Sequence, residues 1–100
     1  MVYRLTRSAE QDLINIYVEG CRKFGTVQAD SYYTRLRETF ELLSEFPRLA
    51  RERIEFRPPI RIYGSGAHIV IYIIDDNNDL RILRIRHGRE DWLNEKTTGE

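Results

Sequence analysis

One hundred residues with 16 basic and 16 acidic side chains are enough for one domain and leave no bulk positive charge with which to grip nucleic acid. The 41% hydrophobic content supports one core without disulfides, and Cys21, the single cysteine, excludes both an internal disulfide and a thiolate zinc site. No stretch approaches the ~20 apolar residues of a membrane span and no signal-like run follows the N-terminus, so the expectation is a soluble cytoplasmic protein with no membrane contact, residues 1–100 forming one domain.

Val2 to Thr6 reads as a short strand. Ser8 and Gln11 have capping-box spacing, with Thr6 as the other candidate cap, so a helix is expected to start here. Ala9, Leu13, Ile16, Tyr17, Gly20 and Phe24 recur at spacings of three and four and give that helix a core-facing stripe. Ile14, Val18 and Cys21 form a second, narrower stripe, which points to a second surface for the helix to meet. Gly25 stops it, and Thr26 is the expected cap of a second helix whose core face is Ala29, Tyr33, Leu36, Phe40 and Leu43, with Tyr32 and Phe46 beside it. Pro47 ends this helix, and the two read as an antiparallel hairpin.

From Ile54 the pattern turns to β. Ile54, Phe56, Ile60 and Ile62 fall at even positions on one face, interrupted by Pro58 and Pro59. A Gly64-Ser65-Gly66 turn is expected, then a strand from Ala67 to Ile74 that is apolar enough for burial on both faces, then a polar loop from Asp75 to Asp79. In the last strand, Leu80 to His87, strict alternation puts Leu80, Ile82, Arg84 and Arg86 on one face and Arg81, Leu83, Ile85 and His87 on the other. Neither set is purely apolar, and either a bulge or a strand end opening onto a groove accounts for that. The order β-α-α-β-β-β, a helical hairpin on a small mainly antiparallel sheet, is of the α+β class.

The charges are unevenly placed. Arg48, Arg51, Arg53, Arg57 and Arg61 outnumber Glu52 and Glu55, and Arg81, Arg84, Arg86 and Arg89 stand in a stretch with no acid. Apart from Lys23 and Lys96 every basic residue is arginine, whose planar fork suits carboxylates, phosphates and interfaces.

Four segments, "YRLTRSAEQDLINIY", "QADSYYTRLRETFELLSEFP", "PIRIYGSGAHIVIYIID" and "LRILRIRHGREDW", together resemble the RelE/ParE toxin superfamily, and its ParE branch more closely; the resemblance runs from residue 2 to residue 92. It implies a type II toxin that poisons DNA gyrase without enzymatic chemistry and is neutralised in a hetero-oligomer by a ParD-like antitoxin, with operator DNA contacted only through the antitoxin. The stripe of Ile14, Val18 and Cys21 is then the candidate antitoxin-binding surface. The candidates for target interaction are Arg57, Arg61, Arg81, Arg84, Arg86, His87, Arg89 and Trp92.

The sibling RelE branch implies the alternative, a ribosome-dependent mRNA endoribonuclease, for which Arg57, Arg61, Arg81, Arg84 and His87 would have to hold phosphate and move protons. That set lacks the lysines and the C-terminal tyrosine of such ribonucleases, since Asn94 to Glu100 contain no aromatic residue. His87 at a strand end also suits the plainer role of supporting a turn. His68 has no histidine or carboxylate at ligand spacing, and the Asp75–Asp79 segment lacks the glycine and terminal glutamate of a calcium loop, so neither a metal nor a cofactor is expected. Trp92 and Leu93 either close the core or dock on a partner.

Overall fold

A computed structural model describes residues 2–88, in the order β1 (Tyr3–Leu5), α1 (Arg7–Phe24), α2 (Thr26–Glu45), β2 (Glu52–Arg53), β3 (Ile60–Ser65), β4 (His68–Ile74) and β5 (Leu80–His87). The five strands form one sheet in the order β1-β5-β4-β3-β2, antiparallel except for the parallel pair of β1 and β5. The expected α+β arrangement is present, with a two-residue strand, β2, added at the edge where Glu52 pairs with Arg61.

Helix α1 starts at Thr6 and not at Ser8. The Thr6 hydroxyl accepts from the Ala9 amide at 3.1 Å and donates to the Leu83 carbonyl at 2.8 Å, so one side chain caps the helix and ties its start to β5. Thr26 is likewise the first helical residue and not a cap. Gly25, at φ +87°, donates its amide to the Cys21 carbonyl and accepts from the Ala29 amide, closing one helix and opening the next in a single residue. The hairpin then packs tightly where Gly20 meets Ala29, since a Cβ on Gly20 would stand 3.5 Å from the Ala29 Cβ.

Both helices cover one face of the sheet. Ala9 and Leu13 from α1, Leu36, Phe40 and Leu43 from α2, and Val70, Tyr72, Leu80, Ile82 and Ile85 from the strands make the main core. Tyr72 is fully buried, and its hydroxyl reaches the Pro47 carbonyl at 2.8 Å. Strand β4 is buried on both sides as its composition implied, because its alternate residues Ile69, Ile71 and Ile73 join Phe56, Ile60, Ile62 and Leu83 in a second apolar cluster.

Two turns differ from the sequence reading. Ile54 is 75% exposed and leaves the set formed by Phe56, Ile60 and Ile62, since strand pairing stops at Arg53 and the chain bends before resuming at Ile60. Gly64 and Ser65 belong to β3, and the turn is Gly66-Ala67, closed by the pairing of Ser65 with His68. Of these residues only Gly66 has positive φ, 61°, and the Tyr32 ring lies 2.9 Å from where its Cβ would be. Asp75–Asp79 is the polar hairpin loop its residues indicated: the Asp75 carboxylate accepts from the amides of Asn77 and Asp79, and Asn78 takes the positive φ of 66°.

Candidate functional site

The mixed pattern of β5 resolves through a bulge. Ile71 pairs with Arg84 and Tyr72 with Ile82, so Leu83 is an extra residue and the inward register moves from Leu80 and Ile82 to Ile85. Beyond Ile82 the short β1 has ended, and among the described residues the outer edge of β5 has no neighbouring strand. Side chains from the start of α1 take its place. Thr6 donates to the Leu83 carbonyl, and Asp12 accepts the Ile85 amide at 2.9 Å. Asp12 also receives Arg84, from Nε at 2.7 Å and from Nη2 at 3.1 Å, so this carboxylate accepts three hydrogen bonds and holds the guanidinium in a two-pronged pair.

A second constellation sits at the same end of the sheet. His68 and His87 are directly paired across β4 and β5, with ring centroids 5.4 Å apart in an edge-on arrangement. The Tyr32 hydroxyl of α2 meets His68 Nδ1 at 2.5 Å and accepts from the Ala67 amide at 3.1 Å. Burial pushes the Tyr32 phenol above its ordinary value, and the Ala67 amide partly offsets this. His68 therefore does have a histidine beside it, which spacing along the chain could not show. The backbone at Gly88 is fixed here too, by donation to the Ala67 carbonyl at 2.8 Å. The bonds of Tyr32, Ala67 and Gly88 support the turn, and His87 meets it through its ring contact with His68.

Next to it, the helical hairpin carries a groove of about 630 Å³ whose walls include Ile16, Gly20, Phe24, Tyr32, Arg35 and Leu36. It runs into a smaller, polar hollow of about 380 Å³ bounded by Asp12, Asn15, Arg84, Arg86 and His87. Of the second stripe, Ile14 and Val18 are 55% and 46% exposed and do not line this groove, while Cys21 is half-buried. Phe24 and Val27 extend the exposed apolar surface to the tip of the hairpin. In the groove wall the Tyr17 hydroxyl donates to Asp30, a bond that raises the phenol well above its ordinary value.

Of the arginine candidates among the described residues, only Arg84 and Arg86 come together, at the hollow they border with His87. Arg57 is exposed in the bend before β3, and Arg61 donates to the Ala50 carbonyl at 2.6 Å. Arg81 is exposed at the start of β5, and the six residues from it to His87 span roughly 20 Å of strand. Arg84 is bound to Asp12, and Arg86 is half-buried in the row of Ile69. Arg89 and Trp92 lie outside the described residues. Among the described residues Arg57, Arg61 and Arg81 stand apart from the hollow that Arg84, Arg86 and His87 border, and there is no group of three or more metal-ligating side chains. Sequence reasoning missed Asp12 and Tyr32, whose partners lie 72 and 36 positions away and leave no local signal.

Comparison with known proteins gives a consistent picture. Residues 3–92 match the family model described as ParE toxin of type II toxin-antitoxin system, parDE. Toxin ParE3 of Caulobacter vibrioides is 34% identical over 84 residues, covering 84% of this chain and 83% of that protein. Toxin ParE1 of the same organism is 32% identical over 85 residues, covering 85% and 86%. A solved structure titled as a chromosomal ParDE TA system from P. aeruginosa shares the fold, with a TM-score of 0.75 at 21% identity over 87% of this chain and 95% of that one.

Proposed function

The chain belongs to the ParE toxins of type II toxin-antitoxin systems, and from that premise we propose that it is a non-enzymatic inhibitor of DNA gyrase, acts in the cytoplasm, and is neutralised by direct binding of a ParD-like antitoxin. The observation that carries the antitoxin part is the helical hairpin. It has an apolar groove, walled in part by exposed Phe24, and exposed Ile14 and Val18 elsewhere on α1, more apolar surface than a solitary two-helix layer needs. A segment with an amphipathic helix fits such a surface through anchors at helical spacing. The inhibitor part is supported by the scatter of the cationic candidates. Phosphoryl transfer needs cations and a proton-moving group converging on one phosphate, and Arg57, Arg61 and Arg81 stand away from the hollow that Arg84, Arg86 and His87 border, where Arg84 is bound to Asp12.

Purified protein is expected to inhibit supercoiling by gyrase and to leave ribosome-bound message intact. Addition of the product of an adjacent antitoxin gene is expected to restore supercoiling and raise the melting temperature. Site-specific message cleavage with gyrase unaffected would replace this reading with the endoribonuclease.

A further inference from the structure

Between the end of α2 and the start of β3 the chain turns large apolar side chains outward. Phe46, Leu49 and Ile54 are 54%, 52% and 75% exposed, and apart from Val2 the other exposed large apolar residues among those described belong to the helical hairpin. Single exposed apolar residues are ordinary, but three in one turn-rich segment mark a surface that meets something.

The segment passes around the β2 edge of the sheet. Ala50 is buried in the main core and Phe56 in the second apolar cluster, so the residues between them are carried to the rim. Hydrogen bonds fix it there. The Pro47 carbonyl accepts from the Tyr72 hydroxyl at 2.8 Å, the Ala50 carbonyl from Arg61 at 2.6 Å, and the Phe46 carbonyl from the Leu49 amide at 3.0 Å. Glu52 and Arg53 pair with β3. A surface held in this way loses little freedom on meeting a partner.

Arg53 is bound to Glu55 at 2.7 Å, whereas Arg48, Arg51 and Arg57 are exposed and form no ion pair with another described residue. Within residues 46–57 the one acid besides Glu55 is Glu52. Exposed apolar anchors with an arginine excess have the make-up of a protein–protein contact, and the excess calls for an acidic partner. Nucleic acid fits less well, because Leu49 and Ile54 cannot stack on bases and the chain has no net charge. None of these residues walls the hairpin groove, so the rim is separate from the surface assigned above to the antitoxin.

We propose that the rim from Phe46 to Arg57 is where the chain grips its target, and that the target meets it with an acidic protein surface. An apolar centre on that surface takes Phe46, Leu49 and Ile54, and carboxylates around it face Arg48, Arg51 and Arg57. This rests on the inhibitor reading above and commits to a contact surface that reading leaves open.

Two double variants of the full-length chain test it, Leu49→Gln with Ile54→Gln and Arg48→Glu with Arg51→Glu. All four positions are exposed, so native circular dichroism is expected from both. Each is expected to lose about tenfold or more of the parent's gyrase inhibition in a supercoiling assay, and to bind the product of the adjacent antitoxin gene as tightly as the parent does. Should a double variant not fold, Ile54→Gln alone decides, with a loss of about threefold or more expected at this most exposed anchor. If the parent itself leaves gyrase active, the inhibitor reading fails, and growth arrest on induction without antitoxin is scored instead: arrest lost in the variants upholds the rim, and arrest equal to the parent's overturns it. Folded variants that inhibit gyrase as well as the parent overturn the inference. So does a loss confined to the arginine pair, which would mean a phosphate backbone, a loss of antitoxin binding in place of inhibition, or a parental dimer that the variants dissociate, which would mean a second copy.

Discussion

From Leu80 to Ile82, β5 lies between β1 and β4, has paired neighbours on both edges and buries two aliphatic side chains completely; from Leu83 to His87 its one strand neighbour among the described residues is β4, and on its other edge Thr6 and Asp12 bond the backbone. The first half is held by backbone pairing and apolar burial, the second by a small number of polar side chains from distant parts of the chain. That division explains why an arginine-rich stretch can sit inside a sheet. Arg84 is not surplus charge left over for a target, since its guanidinium helps to anchor the carboxylate that closes the edge. Tyr32 does the same service across the strand end, holding the β3–β4 turn and His68, against which His87 is packed.

The sharpest way to break this comparison is to remove Asp12. Asp12→Ala leaves the Ile85 amide without its acceptor and Arg84 without its pair. The Arg84 side chain is 42% exposed and can turn to water, so the ion pair itself contributes little, and most of the cost falls on the backbone group. A loss of about 2–3 kcal/mol is expected from chemical denaturation. Asp12→Asn should recover part of it, because the amide oxygen still accepts from Ile85. A loss within the ~0.5 kcal/mol of an ordinary surface change would mean that water closes this edge unaided.

The same division marks what was legible in the sequence. The helical hairpin follows from periodicity, and β4 from its apolar run, because both signals come from burial of neighbouring residues by regular structure. The second half of β5 could not be read that way. Its alternation is broken by a one-residue bulge at Leu83, and whether Arg84 faces a target or Asp12 depends on a contact 72 positions apart. The caps were settled by distant contacts too. Of the two candidates for the first helix, Thr6 is preferred to Ser8 through its bond to Leu83, whereas Thr26 yields to Gly25, which serves both helices at once. The turn is at Gly66 rather than across Gly64–Gly66 because Gly64 and Ser65 still pair with β4, and Gly66 takes the positive φ beside the Tyr32 ring. Family resemblance reached further than residue patterns did, since it identified the toxin family from segments that are individually weak.

A smaller effect is expected from Tyr32→Phe, which keeps the ring against Gly66 and removes only the hydroxyl from Ala67 and His68. The loss should be about 1 kcal/mol near neutral pH. The alkaline limb gives an independent check. Burial raises the Tyr32 phenol above its ordinary value near 10, so above that pH the unfolded chain releases this proton first. Stability from this group is whole below about pH 10 and falls as pH rises through the folded value. Tyr72 is raised for the same reason, so the Tyr32→Phe variant should show a shallower alkaline decline and not a flat one. An unchanged decline would show that the hydroxyl is solvated and the turn is held by other means.

The smallest effect on stability is expected at Arg86, and it bears on whether the polar end of β5 works as well as holds. Reversing Arg84 would set a second carboxylate against Asp12 and confound folding with function, so Arg86→Glu is the informative change, with Arg35→Glu on α2 as its control. Arg86 is half-buried in an otherwise aliphatic row, and its replacement should shift stability by no more than about 1 kcal/mol. If the polar hollow it shares with Asp12, Asn15 and His87 meets an acidic surface or a phosphate backbone of the target, gyrase inhibition should fall far more than stability does, because charge reversal at an interface repels the partner during encounter. Arg35→Glu, in the wall of the apolar groove, should instead weaken antitoxin binding and leave inhibition in place. A folded Arg86→Glu protein that inhibits gyrase as well as the parent would assign this half of β5 to structure alone and move the working surface to Arg57 and Arg61.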